Sequence, residues 1–151
     1  VVHAELNAIL EAGIYAPTAM GRQSPKIVVL QKPEDVAELE RMNAAVLGNP
    51  DSHPFFGAPT VLVVLADAKA GTAVEDGSLV LGNLMNAAHA LGVGSCWIHR
   101  AKKVFATDEG KALLKKWGIS ENYAAVAHCI LGYPAQDPEA KPRKADFIVR
   151  V

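Results

Sequence analysis

DGSLVLGNLMNAAHALGVGSCWIHRAK, residues 76–102, decides how the rest of the chain is arranged. Leu79, Val80, Leu81, Leu84, Met85, Ala87, Ala88 and Leu91 place apolar groups all around a helix expected over Val74–Leu91. A helix that is apolar all round has to be buried on most sides. Gly77, Gly82 and the alanines leave room for another helix to come close. Gly92 ends the helix, and Gly94 leads into a short strand, Ser95–His99. The Gly92-Val-Gly94 element is not a dinucleotide fingerprint. That motif follows a strand and opens a helix, whereas this one follows a helix and opens a strand, with no third glycine in place.

Working outward, His3–Tyr15 carries Leu6, Ile9, Leu10 and Ile14 at helical spacing. Gly13 and Pro17 end that helix, and a polar loop leads into Lys26–Leu30, a short buried strand. Pro33, followed by Glu34 and Asp35, starts a helix that runs to about Leu47. Gly48–Pro59 is a loop holding Phe55 and Phe56, a pair that either plugs the core edge or covers a ligand. Thr60–Ala66 is a second buried strand and Asp67–Ala73 a turn. Beyond the central stretch, Ala101–Ala106 and Asp108–Trp117 read as short helices. Tyr123–Leu131 is the fourth strand, stopped by Gly132-Tyr133-Pro134. The tail, Ala135–Val151, ends in Phe147–Val151, a run that needs a partner strand. Strands separated by helices around one sheet make an α/β or α+β protein, and residues 1–151 are enough for a single domain.

Composition removes several classes of function. The net charge of −1 argues against nucleic acid and against a polybasic membrane anchor. Leu79–Leu91 is interrupted by Gly82, Asn83, Asn86 and His89, so it is not a membrane span. No signal-peptide pattern is visible, and a cytoplasmic protein is expected. Cys96 and Cys129 form no CxxC and read as small buried hydrophobes. The five histidines lack ligand spacing with the cysteines, so no metal site is expected. His128 and Cys129 adjoin on a strand and should point to opposite faces. There is no Walker A pattern, GxSxG elbow or HExxH.

Three stretches are candidates for binding. Thr18, Gly21, Arg22, Gln23 and Ser24 crowd side-chain donors between Pro17 and Pro25, either to turn the chain or to hold something polar and planar. Trp97–Arg100 lies where strand gives way to helix. It is either a core strand reaching the surface or a set of backbone N–H groups aimed at a polar ligand, with Trp97 against a flat one. Lys141-Pro142-Arg143-Lys144 is either a solvated cluster or a phosphate site, since Arg offers a bidentate fork.

Together these pieces resemble the nitroreductase family of FMN-dependent oxidoreductases, in its small bacterial and archaeal branch. The matching segments are AGIYAPTAMGRQSP (12–25), GAPTVLVVLAD (57–67), the opening stretch (76–102), DEGKALLKKWGI (108–119), HCILGYP (128–134) and PRK (142–144). The resemblance implies an α+β fold: a mostly antiparallel central sheet flanked by helices, with the long central helix buried at a homodimer interface. It also implies FMN at that interface, contacted by both chains. Pro17 and Thr18 would sit by the isoalloxazine and ribityl portion, and Gln23 would hydrogen-bond the flavin. Trp97, Ile98, His99 and Arg100 would flank the ring, with the amides of His99 and Arg100 aimed at N5 and O4. Lys141 and Arg143 would hold the phosphate. Many relatives carry an Asn where this chain has Gly21, a departure at one ring-edge contact. Relatives begin with an Arg-Arg-Ser type segment that also binds phosphate, and this chain is expected to start downstream of it. The capping helices of larger members are expected to be missing.

The implied activity passes hydride from NADH or NADPH through the flavin to a small flat acceptor, a nitroaromatic, quinone or flavin, by ping-pong kinetics. No side chain is expected to act as nucleophile or proton donor, because the cofactor carries the chemistry. A flavin-binding sensor, a reductive dehalogenase or dehydrogenase on the same fold, and a structural dimer without cofactor remain open at this point.

Overall fold

The computed structural model describes residues 1–151, and its layering follows from one strand, β2 (Thr60–Asp67). Val61, Val63 and Leu65 face one core, and Leu62, Val64 and Ala66 face a second. A strand covered on both sides needs no polar alternation, which is why Thr60–Ala66 is almost uniformly apolar. In chain order the elements are α1 (His3–Ile14), β1 (Pro25–Leu30), α2 (Pro33–Leu47), β2, α3 (Ala73–Ala90), β3 (Gly94–Ile98), α4 (Ala101–Val104), α5 (Asp108–Lys116) and β4 (Tyr123–Gly132). The four strands form one sheet in the order β1-β2-β4-β3. Every neighbouring pair is antiparallel. The architecture is therefore α+β.

α1 and α3 cover one face, with Leu6, Ile9, Leu81 and Leu84 in a core shared with Cys129 and Leu131. α2, α4 and α5 cover the other, with Leu39, Met42, Val104 and Leu113 around Phe55 and Ile130. A bulge in β4 opposite Val64 and Leu65 turns both Val126 and Ala127 toward the α3 side. His128 and Cys129 then point to opposite faces, as their adjacency requires. No helix is long and apolar enough to cross a membrane.

Several expectations change. α3 is as long as expected, and its own chain covers one side of it. Val80, Leu81, Leu84 and Ala88 are buried, while Val74 and Leu79 are exposed. Gly77 does not face another helix; it meets the sheet, where an added Cβ would lie 2.6 Å from Val126 Cγ2. Gly82 is the open one, with nothing within 4 Å of its would-be Cβ. Of the phenylalanine pair, Phe55 is fully buried and plugs the core, whereas Phe56 is 76% exposed. Cys96 is exposed rather than buried, because β3 is an edge strand whose end opens into a cleft of about 290 Å³ beside Phe56 and Tyr133. Phe147–Val151 pairs with neither edge of its own chain's sheet.

Candidate functional site

The loop after α1 is built by α3. Asn83 Nδ2 donates to the Ala12 carbonyl at 2.9 Å and holds the last turn of α1. About two turns toward the start of α3, Asp76 Oδ1 accepts from the Ala19 backbone N–H at 3.0 Å. Its Oδ2 accepts from Ser24 Oγ at 2.7 Å and from Thr72 Oγ1 at 3.1 Å. Asp76 is only 2% exposed. Hydrogen bonds from Ser24 and Ala19 hold its carboxyl below the usual Asp value. Within the loop, Gln23 N–H donates to Thr18 Oγ1 at 3.0 Å.

This scaffold shapes two adjoining clefts. One, of about 360 Å³, runs along β1 and is floored by Leu10, Ile14, Ile27 and Val80. The other, of about 640 Å³, is walled by Tyr15, Pro17 and Gly21. Both are lined by Ile14, Ala16, Thr18 and Gln23. Clefts of a few hundred Å³ with an apolar floor and a few polar groups are the usual form of a small-molecule site.

The second group lies across the sheet, at the end of β3. Trp97 is half-buried against the α3-side core, and Ile98 is buried on the other side. Trp97 Nε1 donates to His99 Nδ1 at 3.2 Å, and the two rings stack with centroids 6.3 Å apart. His99 Nδ1 is therefore an acceptor, and a neutral ring carries its proton on Nε2. The backbone N–H groups of His99 and Arg100 donate to no acceptor in the chain. They form two successive donors where the strand turns into α4.

Beneath this turn lies a buried polar pair. Asn43 Nδ2 donates to the Leu39 carbonyl at 2.9 Å and reaches His128 Nε2 at 3.1 Å. An amide nitrogen can only donate, so Nε2 accepts and the His128 proton sits on Nδ1. Phe55 and Phe105 meet the His128 ring edge-on at 5.6 and 6.0 Å. Burial, with the Arg100 charge adding to it, pushes the His128 pKa down to about 3, so this ring is neutral.

The structure groups Pro17, Thr18 and Gln23 at one place and Trp97, Ile98, His99 and Arg100 at another. β1 and β3 are opposite edges of the sheet, three strand spacings or roughly 14 Å apart, and the first group leads into β1 while the second ends β3. No hydrogen bond joins them. Lys141 and Arg143 join neither group; they stand in the exposed tail. Sequence reasoning missed Asp76, Asn83 and Asn43, which have partners far away along the chain, and Thr72, which bonds Asp76 one turn on. The one available signal was a run of polar side chains, Asp76, Asn83 and Asn86, on an otherwise apolar helix.

The Nitroreductase family pattern matches residues 1–133. The chain belongs to the nitroreductase family. Among solved structures, a nitroreductase with bound FMN from Bacteroides fragilis has a TM-score of 0.89 and 29% identity, covering 100% of this chain and 88% of its own. A second FMN-bound nitroreductase, from Desulfitobacterium hafniense, has a TM-score of 0.88 and 27% identity, with the same coverage of 100% and 88%. A protein of Archaeoglobus fulgidus, provisionally named an NADH dehydrogenase/NAD(P)H nitroreductase, is 30% identical over 89% of this chain and 75% of its own length. For this nitroreductase-family chain the similarity extends over both residue groups as well as the sheet, since each lies inside the matched residues.

Proposed function

We propose that this nitroreductase-family protein is an FMN-dependent oxidoreductase that works as a homodimer with its flavin shared between subunits. When bound, FMN would take hydride from NADH or NADPH and pass electrons to a flat acceptor, a nitroaromatic, quinone or flavin, the two substrates taking turns. The observation that carries the reading is the pair of unpaired backbone donors at His99 and Arg100. Two successive N–H groups suit the neighbouring acceptors N5 and O4 of a flavin ring, and Trp97 and Ile98 fix the strand end that presents them. Pro17 and Thr18 would border the ring and ribityl chain, and the exposed Gln23 would hydrogen-bond the ring. Lys141 and Arg143 would hold the phosphate, Arg143 by its fork.

The homodimer is supported by what one chain leaves uncovered. The two residue groups sit at opposite sheet edges, so a second copy is the simplest way to bring one of each together. Leu79, Val74, Ile14, Tyr15, Phe147, Ile148 and Val149 are exposed, apolar groups that a second copy would cover. Phe147–Val151 would add as an edge strand to the partner's sheet. We take residues 1–151 as a single FMN-binding domain. Unpaired thiols at Cys96 and Cys129 support a cytoplasmic setting.

The test is a visible spectrum after incubation with FMN and desalting, followed by NADH oxidation with and without a nitroaromatic. Retained flavin and acceptor-dependent turnover are expected. A protein that stays colourless overturns the flavin reading, and retained flavin without turnover overturns the enzymatic one.

A further inference from the structure

The Thr18–Ser24 loop is held in a shape that its own residues disfavour. Met20, Gly21 and Gln23 have φ of 56°, 63° and 52°. Glycine accepts that region freely, but Met and Gln do not, and a loop left to itself would relax. Packing does not hold it, because Met20 is 84% exposed and Gly21, Arg22 and Gln23 are exposed too. The bonds inside the loop, Gly21 N–H to Thr18 O at 3.0 Å and Arg22 N–H to Ala19 O at 3.2 Å, move with it and fix nothing to the body.

The Asp67 backbone N–H donates to the Ser24 carbonyl at 3.0 Å, which fixes only the β1 end, and one side chain outside the loop bonds to it. Asp76 takes the Ala19 N–H on one oxygen and the Ser24 hydroxyl on the other, at 3.0 and 2.7 Å. Those two residues bracket the strained segment. Thr72 Oγ1, at 3.1 Å, steadies the same carboxylate, and the first turn of α3 favours its negative charge. Burying a carboxylate is costly unless every oxygen is used, and here both are.

We propose that Asp76 is a positioning residue for the flavin: its carboxylate clips the two ends of the strained loop to α3 and so presets Thr18 and Gln23 for the ring. The inference rests on the flavin reading above. It goes further by assigning the preset shape to one residue that touches no ligand. Presetting lowers the ordering cost of binding, so losing the clip weakens binding even where the fold survives.

The experiment compares Asp76→Ala, Asp76→Asn and Thr107→Ala in the full chain. Three quantities are read: FMN affinity by flavin fluorescence titration, the thermal midpoint of the FMN-free protein, and amide hydrogen exchange over residues 18–24. Thr107→Ala is the control, because Thr107 caps α5 on the other face of the sheet, its Oγ1 accepting from the Gly110 N–H at 3.0 Å, and lines neither cleft. Loss of hydrogen bonds to a charged group predicts FMN binding about ten- to a hundredfold weaker in Asp76→Ala, with faster exchange over 18–24. Asp76→Asn keeps one oxygen for the Ala19 N–H and should recover part of both. Thr107→Ala should lower the thermal midpoint and leave FMN affinity unchanged. Unchanged affinity in Asp76→Ala overturns the proposal. So does an equal loss of affinity in Thr107→Ala, which would mark the effect as general destabilisation. If Asp76→Ala does not fold, Asp76→Asn decides: wild-type affinity and wild-type exchange in that variant overturn the proposal. If the wild-type chain takes up no FMN, the flavin reading fails, and the flavin half of this inference fails with it. The exchange comparison then tests the clip alone.

Discussion

The Thr18–Ser24 loop and the Ala135–Val151 tail are written in similar residues and treated oppositely by the chain. The loop is bracketed by Pro17 and Pro25, the tail is broken by Pro138 and Pro142, and both are expected to touch the same cofactor. The loop is tied at both ends by a buried carboxylate and internally by its own backbone. The tail is exposed throughout, and its one backbone hydrogen bond, Phe147 N–H to Lys144 O at 3.2 Å, stays within itself. Where the tail leaves the body, only Tyr133 is held, its hydroxyl donating to Glu5 Oε2 at 2.7 Å. The difference separates two kinds of residue. What the chain anchors should matter for folding; what it leaves open should matter for binding.

The sharpest form of the contrast is the dipeptide Phe55–Phe56. Phe55→Ala empties a fully buried position between His128 and the α2 side of the sheet and should cost about 3–5 kcal/mol in urea unfolding. Phe56→Ala should change stability by no more than about 0.5 kcal/mol. Similar losses from both would break the distinction at its simplest point.

The tail should behave in the opposite way. Arg143→Ala is expected to leave the thermal midpoint of the FMN-free protein unchanged. It should weaken FMN binding at least roughly thirtyfold, the effect of truncating a charged contact at ~2–5 kcal/mol. Lys144→Ala should change little. Equal effects of the two on a fluorescence titration would mean that the phosphate is held elsewhere.

His128 gives an effect with a defined pH window. Its folded pKa lies near 3 and its unfolded value at 6.5, so below 6.5 the unfolded chain takes up a proton that the folded chain refuses. Stability present above pH 6.5 should therefore fall as the pH drops toward 3, by at most ~1.4 kcal/mol per unit from this one group. His128→Gln should flatten that limb when stability is measured by denaturant titration from pH 7 to 4; an unchanged slope would mean that His128 protonates in place. Asp76 acts in a different window. Its depressed value keeps its contribution intact above the usual 3.8 and loses it only as the pH falls further.

Much of the anchored part could be read in the sequence. β2 was visible because burial on both faces leaves a run of β-branched residues, and α2 because Pro33 opens it and Gly48, at φ 80°, closes it. What could not be read depends on pairs distant along the chain. Asp76 looked like an ordinary acid in a helix's first turn, and only the fold brings Ala19 and Ser24 to it, 57 and 52 residues away. His128 and Asn43 are 85 residues apart. The cover of the exposed side of α3 could not be read for a related reason: apolar residues all round a helix say that it is covered, but not by which chain.

The smallest expected effect is at Gly21, where φ is 63° and nothing lies within 4 Å of a would-be Cβ. Asn tolerates this backbone, so Gly21→Asn should shift stability by no more than about 0.5 kcal/mol. A larger loss by thermal unfolding would show that the loop's left-handed residues are held more tightly than the Asp76 clip explains.

On the proposed reading, one chain carries two halves of different sites, completed by a second copy. Sedimentation velocity of the FMN-loaded protein at submicromolar concentration tests it most directly. Obligate interfaces of about 2,000 Å² or more rarely leave a stable monomer, so a single dimeric species carrying the flavin absorbance is predicted. A folded monomer that keeps its FMN would contradict the shared site and the homodimer together.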